Sequence, residues 1–281
     1  MALMLGALLA AALAWPLTAA EPLCRPAARE ASRPDAFDGA DFFRARLLEE
    51  GQSYLLPGAP AAFIVAEPGY LDSDSLGRFC AELARGLTAI PLLLGRSAAL
   101  GERVTVYVYG SGPDAPISQA LVPGARAGEK GVMLRYVRED RAPLFHELNH
   151  LLAGLPGSAS LSEGFADFVQ ARLAPGKASA FTPAGTDPHA RARQALLAHP
   201  RLLVGMGAPG AGRWSSPEER EAFYFASWSY VDFLIARGGM PAFLQVFDGG
   251  GSDASCRRAF GQSCRKLRAD WSKGLVAQAR P

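Results

Sequence analysis

Near residue 140 the apolar residues of this chain change their spacing, and that change constrains the architecture more than any other feature. Before it, AAFIVAE at 61–67 reads as a strand closed by Pro68-Gly69. RVTVYVY at 103–109 is dense in β-branched and aromatic residues, with Val104, Val106 and Val108 on one side. GVMLRYV at 131–137 is a second strand of that kind. Two helices belong to this half, near 39–50 and over 75–94. In the latter, Leu76, Phe79, Cys80, Leu83, Leu87 and Ile90 recur every three or four residues. Beyond 140 the spacing predicts helices only, near 141–153, 161–173, 188–203, 217–236, 240–247 and 253–275. Ser216, Pro217 and Glu219 form a start signal for the fourth, and Gly238-Gly239 ends it. Strands followed by helices give an α+β arrangement without internal repeats.

Composition bears on size and partners. With 49% apolar and 20% charged residues in 281, the chain has enough material for a hydrophobic core. Its 30 glycines and 21 prolines predict long irregular connections, at 110–130, 174–187 and 205–215; the first and last are either flaps or plain connections. Lysine and arginine (29) nearly balance aspartate and glutamate (27), and no basic run is interleaved with aromatics, so nucleic acid is not an expected partner. Arg257, Arg258, Lys266 and Arg268 read as a solvated helix face.

Residues 1–20 are uncharged and apolar and end in Thr18-Ala19-Ala20 before Glu21-Pro22, which reads as a secretory signal. It lacks the usual early Lys or Arg, so an uncleaved anchor is the alternative, the only route to a membrane. The expected organisation is 1–20 as signal, 21–153 as an α+β subdomain, and 154–281 as a mainly helical one. Four cysteines in an exported chain favour two disulfides. Of three pairings, Cys256 with Cys264 and Cys24 with Cys80 are the expected ones, closing a small loop and tying down the N-terminus.

Within the first C-terminal helix stands His146-Glu147-Leu148-Asn149-His150. Residues four apart lie one turn above each other, so both imidazoles can reach one metal ion, with Glu147 placed to take a proton from water on it. The chain has only 4 histidines, which makes chance a poor explanation. The next helix carries Leu161-Ser162-Glu163-Gly164-Phe165-Ala166-Asp167. A return through Gly154, Pro156 and Gly157 brings Glu163 toward the histidines as third ligand, and Asp167, one turn on, can orient a ligand histidine. Glu163 has a second reading, because Ser160 three residues before it makes a capping box. His189 and His199 are poorer ligand candidates.

His146, Glu147, His150, Glu163 and Asp167 together resemble the gluzincin group of zinc metallopeptidases, over residues 103–173 and more loosely to 236. No third histidine follows His150 in the pattern of the metzincins. The resemblance implies a zincin-like fold with a small mixed sheet and a helical second half. It also implies one zinc ion, a peptide or protein substrate lying along a strand (131–137 or 103–109), and a tyrosine that stabilises the oxyanion. Tyr224 is the first candidate for that role and Tyr230 the second. The expectation is an exported, secreted or periplasmic, bacterial zinc peptidase with Glu147 as general base. The alternatives are a non-catalytic zinc-containing binding module and an envelope-associated hydrolase working near the membrane. Specificity and oligomeric state stay open.

Overall fold

The computed structural model describes residues 23–28, 39–58, 61–95, 103–110, 117–121, 130–177, 182–202, 206 and 216–277. The segment read as a signal, 1–20, lies outside them, as does most of the 110–130 and 205–215 connections.

Six strands form one sheet: β1 (Arg25–Pro26), β2 (Gln52–Leu56), β3 (Ala62–Ala66), β4 (Val104–Val108), β5 (Gln119–Leu121) and β6 (Gly131–Leu134), in the order β1-β2-β3-β4-β6-β5. The centre is parallel, with Ile64 opposite Val106 and Val106 opposite Val132. Antiparallel strands flank it, β2 on β3 and β5 on β6, where Ala120 faces Val132. The expected strands at 61–67 and 103–109 are present. The third stops at Leu134, because the left-handed backbone of Tyr136 (φ 62°) cannot continue a ladder.

Three strands went unread from sequence: β1 and β2, and β5 inside the supposed 110–130 loop. Each is short, and each is held by pairing with a neighbour rather than by a pattern of its own.

Both sheet faces are covered. Val104, Val106, Val108, Ile64 and Val132 face α2 (Ser73–Leu93), through Phe79, Leu83, Leu87 and Ile90, and the C-terminal helices beyond. Phe63, Val65, Tyr107 and Met133 face the other way, onto Leu47 of α1 (Gly39–Glu50). The alternation along β4 therefore serves two apolar layers.

The second half holds α3 (Leu144–Ala153), α4 (Ala159–Leu173), α5 (Pro188–Ala198), α6 (Pro217–Asp248), α7 (Asp253–Phe260) and α8 (Cys264–Ala277). Helix α5 ends at Ala198 rather than 203, just before Pro200. The two helices expected at 217–236 and 240–247 run as one segment with a kink at Gly239, whose φ is 77°. The single helix expected at 253–275 is two, since Gly261 turns left-handed (φ 69°) after α7. The Cys256–Cys264 disulfide spans that break, and Cys24–Cys80 joins the start of the described chain to α2.

Two glycines let the site helices approach closely. A Cβ on Gly86 of α2 would lie 2.7 Å from the Leu148 side chain of α3. One on Gly164 of α4 would lie 2.3 Å from the Ser227 carbonyl of α6. Packing α6 directly on the backbone beside Glu163 is thus open to glycine alone.

Candidate metal centre

Helix α3 begins with a difficulty. Pro143 occupies the N-cap and offers no side-chain acceptor, so the first-turn N–H groups need partners from elsewhere. Gln170 on α4 supplies one: its Oε1 accepts from the backbone N–H of Phe145 at 3.0 Å and of His146 at 3.1 Å. Every residue of α3 is buried, and the helix lies between α2 and α4 with its histidines toward α4.

His146 Nδ1 donates to Asp167 Oδ1 at 2.9 Å, and the Ser162 hydroxyl, able to donate or accept, lies 3.1 Å from His150 Nδ1. The Asp167 contact holds a proton on His146 Nδ1, and both rings turn Nε2 toward Glu163. The two Nε2 atoms lie 3.1 Å apart. Glu163 Oε2 lies 3.3 Å from Nε2 of His146 and 3.4 Å from Nε2 of His150. Ligand atoms held tetrahedrally at zinc distances sit about 3.3 Å from one another. The three donors therefore fit one zinc ion, and they are the one such group of three among the described residues.

Glu163 is not capping its helix. Helix α4 starts at Ala159 with Ser158 as N-cap, and Ser160 Oγ donates instead to the Met206 carbonyl at 2.6 Å. Burial alone would raise the Glu163 pKa, but the two imidazoles outweigh it and hold the carboxyl far below its usual range. Burial likewise opposes charge on His146, and hydrogen bonds that its ring donates to Asp167 and Glu163 overcome it, placing that imidazole well above its usual value.

Glu147 is 4% exposed. Burial raises its pKa, opposed by the two histidines and by an N–H that Ala120 of β5 donates to its carboxylate. The strand beside the site is therefore β5. The candidates 131–137 and 103–109 are corrected: β6 is screened by β5, and β4 lies between β3 and β6.

Of the two tyrosines, Tyr224 is at the site, its ring 6.4 Å from that of His146 and its hydroxyl bonded to Glu163. Burial, then the surrounding carboxylates, push its phenol far above the usual range, so it stays protonated. Tyr230 lies elsewhere, against Phe233 and Trp271. His189 pairs with Ser229 and Asp232 of α6, and His199 caps α5; neither joins the donor triad. Sequence reading missed Ser162, Gln170 and Ala120. Gln170 was within reach, because Glu163, Asp167 and Gln170 follow at four and then three residues along one helix face.

Two imidazoles and a carboxylate, with a buried glutamate beside them, form a candidate metal site of three donors, one fewer than the four protein ligands of a closed structural site. No family model matches the chain, and no curated protein matches it. Among solved structures it is similar to an M1 zinc metallopeptidase from Deinococcus radiodurans, at 16% identity and a TM-score of 0.42, over 76% of this chain and 48% of that one. A mutant of the same enzyme is matched at 16% identity and a TM-score of 0.42, over 76% and 49%. The chain thus spans about half the length of those proteins.

Proposed function

We propose that this chain is an exported zinc-dependent peptidase that hydrolyses peptide bonds in an extended peptide or protein substrate. The observation that carries the reading is the set His146, His150 and Glu163 at zinc-ligand spacing with Glu147 buried beside it. A site that only braces a fold has no use for a further buried carboxylate beside its donors, which argues against the binding module.

When bound, zinc supplies Lewis acidity and lowers the pKa of its water to about 7. Glu147 takes the proton of the attacking water and passes it to the leaving nitrogen, a role that its raised pKa suits. The Ala120 N–H holds the carboxylate in place for both transfers. Tyr224, protonated and next to Glu163, donates to the carbonyl oxygen as negative charge develops there. Among the described residues no strand pairs with the outer edge of β5, so an extended substrate can add there as a further strand. The two disulfides and the apolar 1–20 segment support export. No helix among the described residues is long and apolar enough to cross a membrane.

The test is mass-spectrometric cleavage mapping on a diverse peptide mixture with zinc-loaded protein, run beside Glu147→Gln. Cuts by the wild type alone are expected, with zinc retained by the variant. Equal cutting by both would remove Glu147 from the mechanism, and no cutting by either would favour the binding module.

A further inference from the structure

Arg268 departs from the sequence reading of a solvated basic face. Arg257 pairs with Asp253, and Lys266 with Asp270. Arg268 on α8 is half-buried and has no acidic partner among the described residues; it lines a pocket with Gly157, Ser158, Tyr230 and Gly251. The pocket lies where the N-terminus of α4 meets the Gly250-Gly251 turn that follows α6.

Three separate features of the pocket favour a negatively charged occupant. First, α4 is uncapped. The Ser158 hydroxyl makes no cap bond and meets Ser160 Oγ at 3.1 Å instead. The first intrahelical bond runs from Ser162 N–H to the Ser158 carbonyl, so no cap side chain answers the earlier N–H groups at the positive end of the helix. Second, Tyr230 is only 2% exposed and lines the pocket, and no hydrogen bond engages its hydroxyl among the described residues. The hydroxyl is not one of the fully enclosed polar atoms left without a partner, so the little accessibility it has is toward the pocket. Its burial keeps it protonated and so a donor, and the charge acting on it is that of Arg268. Third, the Arg268 guanidinium brings donors and charge with no carboxylate opposite.

The glycine turn leaves room. Gly250 and Gly251 have φ of 66° and 70°, and a Cβ on Gly251 would lie 3.2 Å from the Ser158 Cβ. The turn closes over the helix end without a side chain filling the pocket.

We propose that this pocket is a binding site for a small oxyanion, a phosphate, sulfate or carboxylate group, held by Arg268, the Tyr230 hydroxyl and the N-terminal amides of α4. It is separate from the metal centre. Ser162, Glu163, Asp167 and Gln170 of α4 turn toward α3, whereas the pocket is on the side that meets Val246 and Tyr230. The inference stands whether or not the chain is a peptidase.

The experiment is titration of sulfate and of acetate into the full protein, zinc-loaded and metal-free, followed by calorimetry and thermal unfolding. Chloride at matched ionic strength is the control. Saturable binding of one anion per chain is expected, with a rise in Tm that chloride does not reproduce and that is equal with and without zinc. Tighter sulfate identifies an inorganic tetrahedral ion as the natural occupant, and tighter acetate a carboxylate such as a peptide terminus. Arg268→Gln weakens binding by about tenfold or more, and Tyr230→Phe by about threefold or more. Tyr230→Phe keeps the ring and its packing, so it carries the test should Arg268→Gln fold poorly. An effect no larger than that of chloride, or one unchanged in both variants, would overturn the site.

Discussion

At the scale of single residues, α4 works as a ruler laid against α3. Ser162 takes the far side of His150, Glu163 completes the donor triad, Asp167 takes the far side of His146, and Gln170 answers the start of α3. Gln170→Leu leaves the N–H groups of Phe145 and His146 buried without an acceptor. That costs about 1–3 kcal/mol of stability, the penalty for an unmade buried hydrogen bond. As the same N–H groups set the height of His146 against Asp167, zinc affinity falls too, by about tenfold or more, the usual size for a lost outer partner. Chelator competition reads the affinity and denaturant unfolding the stability. Zinc affinity equal to wild type would reduce Gln170 to a helix cap. The placement of His146, His150, Glu163 and Asp167 on facing helices was legible in sequence because four-residue spacing on a helix determines which side chains share a face. Ser162 and Gln170 were not, because their partners belong to another helix.

At the scale of elements, the α5–α6 contact carries a titratable clamp. His189 of α5 lies 2.8 Å from Ser229 and 2.9 Å from Asp232 of α6, and the Trp271 indole of α8 donates to the same Ser229. The bond to Asp232, first, raises the His189 pKa above 6.5; burial opposes it, and Asp187 adds to it. A histidine whose folded pKa lies above its unfolded one stabilises fully below the unfolded value, and the contribution fades as pH rises through the folded value. Asp232→Asn is therefore expected to lower Tm most below about pH 6.5, with the gap from wild type narrowing as pH rises through the raised value of the folded state. Thermal unfolding across that range checks it, and a gap that widens with pH would contradict the assignment. The side chains are more than a third exposed, so the change is modest. Strand β5 belongs to this scale as well. Three residues hold no readable pattern, and only pairing with β6 makes Gln119–Leu121 the strand that reaches Glu147.

At the scale of the whole molecule, stability rests on a core on both sheet faces and two disulfides, to which an ion held by His146, His150 and Glu163 would add. Cys24–Cys80 closes a loop with a separation of 56 residues. A loop of that length is worth about 4 kcal/mol in the chain-entropy account. Reduction is expected to lower the denaturant midpoint by the corresponding amount, with Cys24→Ser plus Cys80→Ser reproducing the larger part. The three donors meet only in the folded chain, so Tm is expected to rise with free zinc concentration and a chelator to reverse the rise. His150→Gln is expected to flatten that dependence. A Tm indifferent to zinc in the wild type would mean the three donors do not hold the ion.

The sequence by itself determined the features governed by local spacing. These are the helices carrying His146, His150, Glu163 and Asp167, the central strands with their β-branched runs, and the start of α6 at Ser216-Pro217. Local periodicity and capping act within a few residues, so they are written into the chain at the place where they operate. Only the tertiary structure decided that Glu163 faces the histidines rather than its own helix end, that Tyr224 and not Tyr230 reaches the centre, and that β5 lies beside Glu147. Each of these depends on contacts between elements far apart in the chain. Their geometry follows from close approaches such as Gly164 against Ser227, whose partner no local pattern identifies.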